Sequence, residues 1–196
     1  MEGFPTPKYI FYHPKGGLVL SIEQRLDNKN ASGNDHLIIV GSGSAALNIY
    51  SLAVIFGYTI TIVDRRVETL TRKRFPKAVE ILRGDVIQLL QNYDINDSTS
   101  LVIVNNNREP DEQLLQIVIK SPARYIGVVG NSRKISASLE RLKSMGTAEE
   151  LIERVHVPAS LGLSDDHDVD AALAAMAEIN SRFRRDAFEV LTNIYK

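Results

Sequence analysis

The sequence predicts a doubly wound α/β fold: a parallel sheet between two layers of helices, with a short N-terminal β-hairpin as an appendage. Three observations predict it. Short runs that are apolar throughout alternate with segments of helical pattern, as strands buried on both faces and joined by crossovers require. The first run leads straight into Gly41-Ser-Gly-Ser-Ala-Ala46. Asp64 then closes the second run, 18 residues after Ala46. An apolar strand, a glycine turn that opens a helix and an acid ending the next strand together describe a Rossmann-like domain.

Residues 1–36 read as a hairpin and linker, and residues 37–196 as the Rossmann-like nucleotide-binding domain. Tyr9–Tyr12 and Leu18–Ile22 are candidate strands around the turn chemistry of Pro14-Lys-Gly-Gly17. Asp27–Asp35 is polar and helix-breaking, and reads as a linker. A lone hairpin is marginal in water, so this one is expected to pack on the main body or on a second copy of the chain. Self-association is left open on that ground.

The main domain's strands are expected at Leu37–Val40, Thr59–Val63, Val79–Leu82, Leu101–Val104 and Tyr125–Val129. Helices are expected at Ser44–Phe56, Val86–Asn92, Pro110–Lys120 and Ser132–Met145. Gly57 and Gly146 suit the left-handed position just past a helix end. Asp85 suits an N-cap and Pro110 a first helical turn. Thr147 with Glu150 has the capping-box spacing of a short helix. Val155-His-Val-Pro158 is a candidate sixth strand, and a long helix is expected from Asp165 to about Asn193. Right-handed crossovers between such units give the expected strand order 3-2-1-4-5.

Composition narrows the function. The chain has 196 residues, 44% of them apolar, enough for a substantial core. A formal charge of −1 supplies no global attraction to nucleic acid or to an anionic membrane, and neither is expected as a partner. The chain contains no cysteine, which excludes disulfides, thiolate metal sites and cysteine nucleophiles. No apolar run approaches membrane-spanning length, and the N-terminus lacks the pattern of a secretory signal. The expected location is cytoplasmic.

The glycine loop carries the chemistry. Gly41 permits the tight turn, Gly43 lets a phosphate approach the backbone, and the small Ala46 allows close helix–strand packing. Ser42 and Ser44 lie in the loop, whose helix offers free N–H groups and a positive dipole end. Asp64 is placed to grip a ribose diol, which favours NAD over NADP; Arg65 and Arg66 blur that preference, because an arginine here can accept a 2′-phosphate. Two further polar clusters follow strand ends. Asn105, Asn106, Asn107 and Arg108 follow the fourth strand, while Gly130, Asn131, Ser132, Arg133 and Lys134 follow the fifth and open a helix. Ligands of open α/β sheets bind along this edge, so Arg133 or Lys134 with helix amides is a candidate anion site. Asp165-Asp-His-Asp168 reads as an acidic helix start rather than a metal site, and His156 as structural. No catalytic residue is assigned.

Several runs together resemble the Rossmann domain of the XdhC/CoxI family, accessory proteins of xanthine dehydrogenase and carbon monoxide dehydrogenase. They are Ser121-Pro-Ala-Arg-Tyr-Ile-Gly-Val-Val-Gly130, Ser132-Arg-Lys134, Leu139-Glu-Arg-Leu142, the segment Ile152 to Pro158 and Ala175-Met-Ala-Glu-Ile179. The resemblance spans about Leu37 to Arg185. It implies a chaperone-like factor in molybdenum hydroxylase maturation, binding a nucleotide or the molybdenum cofactor and docking on the hydroxylase or a maturation partner.

The departures from the family pattern are specific. Ser44 stands where the family has histidine, and Asn105-Asn-Asn-Arg108 where a Thr-His-Asp-His-like stretch is usual. Ala159-Ser-Leu-Gly-Leu-Ser164 lacks the acid and glycines of the family's run after the His-x-Pro. Without cysteine, this chain cannot carry sulfur on a thiolate. The ligand expected is NAD(P) or another nucleotide-bearing molecule such as the molybdenum cofactor. An NAD(P)-dependent oxidoreductase and a nucleotide-sensing regulatory subunit stand as alternatives, and the sequence leaves open whether the chain is an enzyme.

Overall fold

The computed structural model describes residues 10–13, 17–20, 35–104, 111–158 and 168–183. The chain divides into two compact units, residues 1–33 and 34–196. In the first, β1 (Ile10–His13) pairs antiparallel with β2 (Gly17–Leu20). The linker expected at Asp27–Asp35 lies, but for its last residue, outside the described residues.

The second unit is built on six parallel strands: β3 (His36–Val40), β4 (Thr59–Asp64), β5 (Glu80–Arg83), β6 (Thr99–Val104), β7 (Tyr125–Val129) and β8 (Val155–His156). Their spatial order is β5-β4-β3-β6-β7-β8. The expected 3-2-1-4-5 order is present, with the sixth strand added at the edge. The order reverses between β3 and β6, so the crevice between their carboxyl ends is the topological switch point.

The centres of the strands β3, β4, β6 and β7 are buried and mostly apolar because both faces are covered. Leu37 and Ile39 join one core with Ile49, Ala53, Phe75, Met176 and Ile179. Ile38 and Val40, pointing the other way, join a second core with Leu115, Val118, Ile119, Ile135 and Leu142. The first core lies under α1 (Ser44–Ile55) and α6 (Asp168–Phe183). The second lies under α2 (Val86–Gln91), α3 (Glu112–Lys120) and α4 (Ser132–Ser144). Helices α1 and α6 run parallel: Ser44 contacts Asp168 at their amino ends, and Tyr58 donates to Asn180 at 3.4 Å near their carboxyl ends.

Turn chemistry decides most boundaries. Gly57 (φ +74°) and Gly146 (φ +89°) take the left-handed conformation that ends α1 and α4. The Asp85 side chain caps α2 by accepting from Gln88 N at 2.9 Å. Two expectations are corrected. Helix α3 begins at Glu112 rather than Pro110, because the Asp111 side chain accepts from the amides of Gln113 and Leu114 and fixes the start there. The Thr147–Glu150 capping box does not form. Helix α5 (Glu149–Ile152) has Ala148 at its N-cap with no side-chain bond, and Thr147 instead donates its backbone N–H to Leu142 O, which closes the end of α4. Gly127 is dictated by packing: a Cβ there would lie 2.7 Å from Cε1 of Tyr125.

Candidate functional site

Strand β3 ends at Val40 and the chain turns at Gly41 with φ +118°, a conformation open to glycine. Space makes the same demand, since a Cβ on Gly41 would sit 3.1 Å from the carbonyl oxygen of Val104, at the end of β6. Gly41 N donates to Val63 O at 2.8 Å, fastening the turn to β4. Gly43 is the N-cap of α1, and its carbonyl accepts the first helical bond from Leu47 N at 3.0 Å. Ala46 is fully buried in the core beneath the loop. The three small residues thus occupy the positions their motif requires.

The amino end of α1 differs from those of its neighbours. Asp85, Asp111 and Asn131 each cap their own helix through a side chain, but Gly43 supplies no side-chain cap to α1. Among the described residues, the opening amides of α1 thus lack the N-cap side-chain acceptor that α2, α3 and α4 carry, at the end where the dipole favours an anion. Asp168, the first residue of α6, lies at this end, where its carboxylate accepts from the Ser44 hydroxyl.

Asp64 ends β4 beside this loop, and its side chain is only 8% exposed. Its Oδ2 accepts from Ser42 Oγ at 2.7 Å, from Arg66 Nε at 2.9 Å and from Arg66 Nη2 at 2.7 Å. Its Oδ1 accepts from the Arg66 backbone N–H at 3.0 Å. Ser42 gives its single proton to Asp64, so Thr69 is the donor in the 2.5 Å contact between the two hydroxyls. Burial would raise the Asp64 carboxyl, but the bonds from Arg66 and Ser42 outweigh it and hold the group below the usual carboxylate range. Asp64 is ionised and its hydrogen-bonding is turned inward. Arg65 is exposed beside it, and the Arg66 side chain is 42% exposed.

The candidates after β7 lie elsewhere. Gly130, Arg133 and Lys134 are exposed at the end of β7 and the start of α4, where Asn131 Oδ1 accepts from Lys134 N at 3.2 Å. This turn, at the end of β7, lies two sheet positions from the glycine loop at the end of β3, roughly 10 Å, with β6 between them. Asn105, Asn106, Asn107 and Arg108 lie outside the described residues. His156 stacks on Tyr125 with ring centroids 4.9 Å apart, and its Nδ1 lies 3.3 Å from Glu178 Oε1. Thr69 enters the site without a motif to announce it, and Asp168 enters from the run read as an acidic helix start. Among the described residues no group of three or more His, Asp or Glu side chains is placed to hold a metal, and no helix is long and apolar enough to cross a membrane.

The geometry is that of a glycine loop at a switch point, and the family model of the XdhC Rossmann domain matches residues 37–179. The chain belongs to the XdhC Rossmann-domain family. Among the relatives of this XdhC domain is the uncharacterized protein YqeB of Escherichia coli K12, 27% identical over 144 residues, covering 73% of this chain and 26% of YqeB. A probable xanthine dehydrogenase subunit from Bacillus subtilis is 22% identical over 151 residues, covering 77% of this chain and 44% of that protein. The crystal structure of a xanthine dehydrogenase from Bacillus halodurans superposes with a TM-score of 0.65 at 22% identity, covering 80% of this chain and 45% of that one. That likeness establishes the fold. The chain spans less than half the length of each of these relatives.

Proposed function

We propose that this chain is an XdhC-type accessory protein in molybdenum hydroxylase maturation, in which the glycine loop binds the phosphates of a nucleotide or of the pterin cofactor. The observation that carries the reading is the uncapped amino end of α1 at the switch point, beside a glycine whose Cβ would meet the Val104 carbonyl. A phosphate fits that cradle: it takes the place of a capping side chain and meets the positive end of the helix dipole. Membership of the XdhC Rossmann family and the likeness to a probable xanthine dehydrogenase subunit support the maturation context. The bound group would supply the redox or pterin chemistry. The chain's own part is to hold phosphates at Gly41–Ala46 and to present the ligand to a partner. Having no cysteine, it can neither carry sulfur on a thiolate nor ligate a metal through one.

The test is thermal stability of the pure protein against NAD, NADP, FAD, CTP and molybdopterin. A ligand at about 100 times its dissociation constant adds about 2.7 kcal/mol, a shift of several degrees for a chain of this size. The shift is expected for at least one phosphate-bearing ligand and is expected to vanish in Gly43→Glu, which sets a carboxylate at the helix start. A flat panel, or a shift that survives in Gly43→Glu, removes the loop from the proposal. Capture of an apo-molybdenum hydroxylase by the wild-type protein tests the partner.

A further inference from the structure

A nucleotide-binding loop followed by an acid at the next strand end is ordinarily taken to grip a ribose diol, both carboxylate oxygens accepting from the sugar hydroxyls. The Asp64 carboxylate is already occupied. Three donors converge on Oδ2 and a fourth, the backbone N–H of Arg66, reaches Oδ1. Two of those bonds come from a guanidinium that offsets the negative charge, and a third comes from Ser42 in the loop itself. Asp64 is therefore a staple. It joins the turn between β3 and α1 to the end of β4, with Thr69 completing the chain of hydroxyls through Ser42.

The group presented at the sugar position is the arginine. Arg66 spends the Nε proton and one Nη2 proton on Asp64, and a guanidinium carries five N–H donors. Its remaining donors belong to a side chain that is 42% exposed, beside the exposed Arg65. Asp64 holds that guanidinium at 2.7 Å and so orders it before any ligand arrives, which lowers the entropic cost of using it.

We propose that Arg66, ordered by Asp64, is a specificity-determining residue that selects a ribose bearing a 2′-phosphate over a free diol. The inference rests on the glycine loop binding a nucleotide, and it makes the ligand class NADP-like rather than NAD-like. A planar guanidinium meets a phosphate monoester with paired, charge-assisted hydrogen bonds, whereas a diol offers it only neutral hydroxyls.

Isothermal titration of the full chain with NADP, NAD, adenosine 2′,5′-bisphosphate and AMP decides the matter. The 2′-phosphorylated member of each pair is expected to bind about ten-fold more tightly at low salt, and by less as salt rises. Arg66→Ala is expected to invert the order, because it removes the phosphate ligand and frees a carboxylate that repels phosphate and accepts from a diol. Arg66→Gln, which keeps a neutral donor on Asp64, is expected to bring the ratio close to one. Equal or tighter binding of NAD by the wild-type protein overturns the proposal and leaves the loop as a nucleotide site. An unchanged ratio in both variants removes Arg66 from it. Failure of all four probes to bind overturns this inference alone; the loop reading falls only if FAD, CTP and molybdopterin fail to bind as well.

Discussion

Helices α1 and α4 both begin at the carboxyl edge of the sheet, each directly after a core strand, yet their amino ends are finished differently. Helix α4 carries its own acceptor, Asn131, on the Lys134 amide, and the turn before it is exposed. Helix α1 begins on buried Gly43 without a side-chain cap, behind a turn whose first glycine has the Val104 carbonyl against it. The same backbone feature is satisfied by a capping side chain in one helix and has no N-cap side chain in the other. An amino end becomes a candidate anion site when the chain withholds its own cap and removes the side chains that would fill the space.

The largest expected effect that separates the two ends is that of Gly41→Ala. The new Cβ meets the Val104 carbonyl and the backbone holds φ +118°, so a loss of about 1–3 kcal/mol is expected, with ligand binding falling in parallel. Urea unfolding with and without ligand reads both, and an unchanged midpoint would show that the turn relaxes freely. Asn131→Ala should cost about 1 kcal/mol, the usual worth of a cap, while leaving the ligand's dissociation constant unchanged. If ligand affinity falls with it, α4 is part of the site and the contrast with α1 collapses.

Acid titration tests the staple. The Asp64 carboxyl is depressed in the folded state, so it binds its proton less readily there than in the unfolded chain. Its contribution to stability is complete above the ordinary carboxylate value of 3.8 and is lost as pH falls through the lower folded value. Asp64→Asn is expected to lower stability near neutrality and to flatten the acid limb of the stability–pH curve. An acid limb identical to wild type would mean that other carboxylates set it. The smallest effect belongs to Asp168→Asn. Removing the carboxylate that accepts from Ser44 at the start of α1 should tighten an anionic ligand by about two- to five-fold, in keeping with helix-dipole magnitudes. Weaker binding in that variant would instead make Asp168 a ligand-contacting group.

Much of this architecture is legible in the chain. Leu37–Val40 and Leu101–Val104 read as doubly buried strands because no residue in them is polar, and the structure places successive side chains in two different cores. Gly57, Gly146 and Asp85 sit where left-handed turns and caps were expected, because those conformations depend on the residue itself. Thr147 and Glu150 show where such reasoning stops. The spacing is that of a capping box, but the Thr147 backbone N–H is engaged by the end of α4, so the helix starts one residue later.

The site was half legible. Gly41, Gly43, Ala46 and Asp64 are recognisable from their spacing, since the turn, the close approach and the strand end are local requirements. What Asp64 does is not. The choice between gripping a ribose and stapling the loop depends on Ser42, 22 residues earlier, and on how the Arg66 side chain folds back. Thr69 and Asp168 reach the loop through the β4–β5 connection and α6, and the acidic helix start that contains Asp168 does not say which loop it meets.

The sequence by itself determined the strand–helix alternation, the switch-point loop and the family, because hydrophobic period and glycine conformation are properties of neighbouring residues. Tertiary structure alone decided which acids are already satisfied, which helix ends are left open, and why Gly127 must leave room for the Tyr125 ring. Those outcomes depend on hydrogen-bond partners and van der Waals contacts that form only when the chain folds, and no spacing along the chain encodes a vacancy in a donor's or acceptor's bonding.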